Sequence, residues 1–338
     1  MFKKIKLKIF SWLGLRDHPA ITVYNGFGNA DCVNIIGHVL DLSPRPRKTF
    51  NSNWFRNFFS VIRLFMVSPV NDAIVLLKWG EENFQTTTES DGFFRFEFCP
   101  KLIHEAGWHN VEVFLDSLSG KTSGHGSVYI PHQTQVAFIS DIDDTFLISH
   151  TSKLRKRLYV LLTRNERSRK AFAGVINHYQ LLANSGAVSP KETNPFFYVS
   201  SSEWNLYHFL LEFIDFNKLP KGVFLLGQMK KLKDFWRSGQ NNHSTKFMRI
   251  VRIIEAYPSQ RFVLLGDDSQ QDPVIYKSIT EHFPDKILAV YLRRVRASNF
   301  DNVTKIVEEI KGKGVEVCYF EHSSEAVIHS KNIGLILA

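Results

Sequence analysis

Between residues 20 and 132 apolar and polar positions mix in short β-type runs: "ITVYN", "VNIIGHVLDL", "DAIVLLKW", "GFFRFEF", "HNVEVFL" and "GSVYI". A period of two puts one face of each run inside and the other outside, and Gly, Asp, Asn and Pro punctuate the gaps. The pattern predicts a small all-β sandwich over 20–132. Its clearest hairpin is "TTTESDGFFRFEF", with Asp91 and Gly92 as the turn and Phe94, Phe96 and Phe98 on one face. From residue 133 to 338 the pattern changes. "VAFIS", "FFYVS", "VFLLG", "RFVLLG", "KILAVYL" and "VEVCYF" are largely apolar runs that read as strands buried on both faces. Most are separated by helical stretches such as "SEWNLYHFLLEFIDF", in which Leu206, Phe209, Leu210, Phe213 and Ile214 share one side. Alternation of this kind predicts an α/β domain with a parallel sheet covered by helices and a ligand site at the carboxyl ends of its strands.

Two stretches break these patterns. "WFRNFFSVIRLFMV", residues 54–67, carries Arg56, Ser60 and Arg63 on one side and a broad apolar face on the rest. Such a helix suits a membrane interface, and equally a position across the open end of the sandwich. The stretch from 154 to about 189 is long, helical and basic, and predicts an insert near 150–190 that reaches over the site as a partial cap.

Charge narrows the partners. Forty-two Lys and Arg against 33 Asp and Glu give a net charge of +9, which favours phosphoesters, nucleic acid or an anionic bilayer. Cys32, Cys99 and Cys318 are scattered and odd in number, which indicates neither a disulfide framework nor a zinc site and fits a reducing, cytoplasmic setting. Residues 1–19 form a basic segment without the features of a signal peptide. No run approaches the ~20 apolar residues of a spanning helix, so the expected membrane contact is peripheral.

The chemistry concentrates at strand ends. "VAFISDIDDTFLISH" places Asp141, Asp143 and Asp144 directly behind a buried strand. A carboxylate there can attack phosphorus when a divalent cation offsets the repulsion, and a second carboxyl two residues on can protonate the leaving oxygen. Asp141 and Asp143 fit these two roles. "RFVLLGDDSQQD" delivers a second acidic pair, Asp267 and Asp268, from another strand end, and converging hard oxygens are what Mg²⁺ prefers. Ser200 closes "FFYVS", where its hydroxyl and the next backbone N–H groups can bind phosphate oxygens at the start of a helix; Ser201 and Ser202 are neighbouring candidates. Lys246, in "NNHSTKFMRI", supplies a positive charge near the second acidic strand.

With "DIDDT", the strand ending in Ser200, Lys246 and "GDDSQQD" in that order, the sequence resembles the haloacid dehalogenase superfamily of phosphotransferases. More narrowly, "DIDDT", "NPFFYVSSSEWNLY", "FVLLGDDSQQDPVIY" and "SRKAFAGVINHYQ" make the second half similar to the phosphatidate phosphatase family associated in fungi with actin patches. The resemblance implies a haloacid-dehalogenase-like Rossmannoid parallel sheet with helices on both faces. It further implies that Asp141 is the nucleophile forming an aspartyl-phosphate, and that Asp143 is the general acid and then the base. Thr145, Ser200 and Lys246 would hold phosphoryl oxygens or the nucleophile. Asp141, the Asp143 carbonyl and one of Asp267 and Asp268, preferentially Asp267, would bind Mg²⁺, with Asp272 orienting its waters or Lys246. Family members carry proline where Glu203 stands here, and "QMKKLKDFWRSGQNNHS" departs from their pattern, which bears on headgroup recognition.

The expected activity is therefore Mg²⁺-dependent hydrolysis of phosphatidate to diacylglycerol and phosphate. Two rivals accompany it: the same chemistry on a soluble phosphomonoester, and a non-catalytic membrane or cytoskeletal adaptor. Nucleic acid is not an expected partner. His104, His109, His125, His132 and His150 lack metal-ligand spacing. The basic run "SKLRKRLYVLLTRNERSRK" reads as a solvated helix face that can also meet an anionic headgroup.

Overall fold

A computed structural model describes residues 15–44, 64–101, 105–116, 122–132, 134–142, 174–187, 193–229 and 242–337. Asp143, Thr145, most of the 54–67 stretch and the basic run after 152 lie outside the described residues.

The amino-terminal strands are β1 (Leu15–Val23), β2 (Gly26–Gly28), β3 (Val33–Pro44), β4 (Ser68–Pro69), β5 (Ile74–Trp79), β6 (Glu82–Thr87), β7 (Phe93–Phe98), β8 (Gly107–Leu115) and β9 (Thr122–Ile130). Hydrogen bonds join them into one nine-stranded sheet of order β1-β3-β2-β9-β8-β5-β6, with β4 and β7 pairing onto β3. All pairings are antiparallel except that of β2 with β9. Val33, Ile35, Val75, Leu77, Val111, Val113 and Val128 fill its core, the inward half of each alternating run.

The expected hairpin at Asp91-Gly92 is corrected. β6 pairs with β5, whereas β7 pairs with β3, from Val33↔Phe98 to His38↔Phe93. Residues 88–92 are a connection between strands that are not partners. Gly92 holds φ +79° there, and a Cβ on it would lie 2.5 Å from the Val39 carbonyl. Phe94, Phe96 and Phe98 do share one buried face, because alternation fixes the face of a residue and not the partner of its strand.

The second sheet is wholly parallel. Its strands are β10 (Ala137–Asp141), β11 (Phe196–Glu203), β12 (Gly222–Gly227), β13 (Phe262–Asp267), β14 (Ile287–Arg293) and β15 (Glu316–Phe320), in the order β12-β11-β10-β13-β14-β15. The described helices are α1 (Val175–Asn184), α2 (Tyr207–Phe216), α3 (Asn242–Ala256), α4 (Asp272–His282), α5 (Phe300–Lys311) and α6 (Ser323–Asn332). α1, α2 and α6 bury Tyr179, Leu182, Phe213 and Ala326 against one face. α3, α4 and α5 bury Ile250, Ile254, Ile279 and Val307 against the other. The chain proceeds outward from β10 through β11 to β12, then returns to place β13 on the opposite side of β10. That reversal makes a crevice between the carboxyl ends of β10 and β13.

The two sheets pack together. Tyr24 stacks on Trp204 with centroids 3.9 Å apart. Asn25 donates from its backbone N–H to the Tyr207 hydroxyl and from Nδ2 to the Gly222 carbonyl, each at 2.9 Å. Phe27 meets Phe197 edge-on at 5.9 Å. Phe197 is fully buried two residues before Val199, the partner of Asp141. Phe197→Ala is expected to cost about 3–5 kcal/mol in urea unfolding, as truncating a buried aromatic does; a loss below ~1 kcal/mol would contradict this packing.

Candidate active site

Asp141 ends β10 and Asp267 ends β13, and these strands are direct neighbours with Ser140 opposite Leu265. Asp272 is the first residue of α4, with Pro273 behind it at a position where a missing N–H is harmless. One carboxylate oxygen from each of Asp141, Asp267 and Asp272 lies within 4.8 Å of the others. All three residues are at most 2% exposed. Like charges this close and this dry need a counter-charge.

Lys246, one turn into α3, supplies part of it. Its ammonium donates to Asp141 Oδ1 at 2.7 Å and to Asp272 Oδ1. Burial alone would favour the neutral amine, but the Asp141 and Asp272 carboxylates outweigh it and hold the ammonium above the usual lysine range. When ionised, the four groups carry two net negative charges, a match for a divalent cation. Asp272 Oδ2 is buried and has no hydrogen-bond partner among the described residues. The donor set is all oxygen, and it fits Mg²⁺.

Gly266 lets the carboxylates approach. A Cβ there would lie 2.7 Å from Asp272 Oδ2 and 2.8 Å from the Tyr276 hydroxyl. Tyr276 in turn donates to the Leu265 carbonyl at 2.9 Å, tying α4 to β13. Behind Asp141, Ser140 Oγ donates to the Asp141 carbonyl and shares a hydrogen bond with the Tyr179 hydroxyl, both at 2.8 Å.

Asp268 is placed elsewhere. Its Oδ1 accepts from the backbone N–H groups of Val295 and Arg296 at 2.7 and 2.9 Å, and its Oδ2 accepts from the Tyr319 hydroxyl at 2.7 Å. Successive residues leave a strand end on opposite sides, so one member of the pair faces the crevice while the other fastens the loop after β14. The group of carboxylates that can share an ion contains Asp267 and Asp272 and leaves out Asp268.

Ser200 is fully buried one residue beyond the level of Asp141, and the Ser202 N–H donates to its Oγ at 2.9 Å. The expected helix start after Ser200 is corrected. β11 runs on to Glu203 through a register shift, and the 3₁₀ turn Trp204–Leu206 precedes α2. Ser200, half-buried Ser201 and Ser202 therefore sit in an irregular strand end, not at a helix terminus.

One contributor escaped the sequence reading. Arg249 lies three residues after Lys246 on α3 and donates to the Ser200 carbonyl at 3.1 Å. Burial pulls its guanidinium down to about 10, where it keeps its charge at neutral pH. The i, i+3 spacing from Lys246 was the available signal. Arg249 joins α3 to the end of β11, as Lys246 joins it to β10 and α4.

Comparison with known proteins bears on this same region. Residues 136–294 match the family model described as phosphatidate phosphatase APP1, catalytic domain. The phosphatidate phosphatase APP1 of Saccharomyces cerevisiae is 27% identical over 158 residues, 47% of this chain and 26% of that protein. An uncharacterized protein of Schizosaccharomyces pombe is 23% identical over 229 residues, 66% of this chain and 36% of that protein. The chain thus spans well under half the length of either curated relative. Among solved structures, a bacterial immunoglobulin-like domain from the M. primoryensis ice-binding adhesin matches 34% of this chain and 97% of that chain at 13% identity, with a TM-score of 0.20 that bears on neither fold nor function. The segment matched to the phosphatidate phosphatase APP1 catalytic-domain model, residues 136–294, is the one that carries Asp141, Ser200, Lys246, Asp267 and Asp272.

Proposed function

We propose that the chain is a Mg²⁺-dependent phosphatidate phosphatase that releases diacylglycerol and phosphate through haloacid-dehalogenase-type chemistry. The observation that carries the reading is the buried convergence of Asp141, Asp267 and Asp272 with Lys246, inside the segment matched to the phosphatidate phosphatase catalytic domain. Asp141 and Asp267 would hold the ion, with Asp272 beside them, and the ion supplies charge that offsets repulsion between carboxylates and a phosphate dianion.

The chain's own groups account for the remaining chemistry. An Asp141 oxygen attacks phosphorus and the bond to the glycerol oxygen breaks. Asp143, the proposed general acid, gives that oxygen its proton. Water then attacks phosphorus, returns a proton to Asp143, and the bond to Asp141 breaks to free phosphate. Lys246, held 2.7 Å from Asp141, keeps the nucleophile oriented and presents its charge to the phosphoryl oxygens. The Ser200 hydroxyl and the backbone of Ser201 line the neighbouring strand end, where a phosphoryl group needs donors. Thr145 follows Asp143 in the same motif and takes a supporting role toward phosphate. The +9 charge suits an anionic membrane surface and thus peripheral access to a lipid substrate.

Purified protein should release phosphate from phosphatidate in mixed micelles with Mg²⁺, and release should stop in EDTA. Preference for a soluble phosphomonoester under the same conditions would move the substrate assignment, while leaving the chemistry. Asp141→Asn is expected to lower phosphate release by at least ~10³-fold without unfolding the protein; turnover that survives would remove Asp141 as nucleophile. Lys246→Met strands two buried carboxylates, and in metal-free buffer it should cost about 3–5 kcal/mol in urea unfolding. Unchanged stability would show that the bridge between Asp141 and Asp272 does not form.

A further inference from the structure

Where the two sheets meet, a cleft of about 180 Å³ opens between β1 and the beginning of α2. Ile21, Val23, Leu64, Val67, Trp204 and Met229 give it an apolar wall, and Thr22, Asn205, His125 and His208 add polar surface. Several polar groups along it are already engaged. The Tyr24 hydroxyl bonds His38 Nδ1, Asn205 Nδ2 donates to the Leu64 carbonyl, and the Tyr207 hydroxyl accepts from Asn25 N–H. His125 and His208 stand exposed at its edge. With the Tyr24, Asn205 and Tyr207 groups engaged within the protein, the apolar wall is the part of the cleft left to a ligand, and it takes an apolar occupant.

Its position says which. Trp204 follows Ser200 by four residues, so the cleft wall stands no more than ~13 Å of chain from the strand end beside Asp141. Met229 follows the end of β12 by two residues, on the same carboxyl-terminal edge of the sheet. We propose that this cleft holds part of one acyl chain of the phosphatidate whose phosphate lies at the Asp141 cluster, an inference that rests on the phosphatase reading. The volume is below the ~300–1,000 Å³ of sites that engulf a whole drug-sized ligand, so part of one chain enters and the rest of the lipid remains with the bilayer or micelle. Each methylene transferred into it strengthens binding roughly fourfold. The amino-terminal sheet thereby contributes a wall of the substrate site.

Val67→Trp and Met229→Trp narrow the cleft from two sides. The readout is the ratio of kcat/KM for dioleoyl phosphatidate in mixed micelles to that for glycerol 3-phosphate, which has the same phosphomonoester and no chain. The ratio should fall at least tenfold in each variant; an unchanged ratio in both, with melting temperatures equal to wild type, overturns the proposal. Should the wild type release no phosphate from phosphatidate, the lipid-phosphatase reading itself fails, and binding decides for the cleft. Phosphatidate with brominated chains should then quench tryptophan fluorescence, and Trp204→Phe should remove that component. Quenching that is absent, or that persists in Trp204→Phe, overturns the cleft assignment.

Discussion

Three carboxylates that approach within 4.8 Å in a dry crevice repel one another strongly, and the structure tolerates them because Lys246 is buried among them. Its ammonium ties α3 to β10 and to α4 at once. Gly266 removes the Cβ that would keep α4 away, and the Tyr276 hydroxyl pins α4 to β13. The parallel sheet provides the setting, since only the reversal of strand order at β10 and β13 brings the ends of two separate acidic runs side by side. A single ammonium leaves the group negative, and in the proposed mechanism that residual charge is what a divalent ion would offset.

Much of this architecture was legible in the chain. Strands of a covered parallel sheet are buried on both faces, so "VAFIS", "FFYVS" and "RFVLLG" stood out as largely apolar runs, and acidic residues directly behind two of them marked the strand ends. Lys246 was found through motif order. What escaped depended on contacts between distant segments. Asp267 and Asp268 are chemically identical neighbours, and only the loop after β14 and Tyr319 show that Asp268 is a fastening. The Asp91-Gly92 turn carries every local sign of a hairpin, yet β3 offers β7 an edge and β5 takes β6. Arg249 resembles any helix arginine until α3 packs against the end of β11.

The sheets are joined through aromatic and amide contacts, from Tyr24 on Trp204 to Asn25 on Gly222 and Tyr207. These contacts also build the rim of the site. The 3₁₀ turn after β11 carries Trp204 and Asn205 into the junction, so the strand that ends beside Asp141 leads directly to the cleft. The proposed lipid phosphoester would need both a polar crevice and an apolar wall at this sheet edge. On that proposal the amino-terminal strands shape the substrate site as well as pack against the second sheet.

The direct test of the central claim is calorimetric titration of Mg²⁺ into three proteins: wild type, Asp267→Asn and Asp268→Asn. Sharing of one ion by Asp141, Asp267 and Asp272 predicts a single site per chain in the wild type, at least tenfold weaker binding in Asp267→Asn, and near-native binding in Asp268→Asn. Absence of Mg²⁺ binding at millimolar concentration, or a loss that follows Asp268 instead of Asp267, would contradict it.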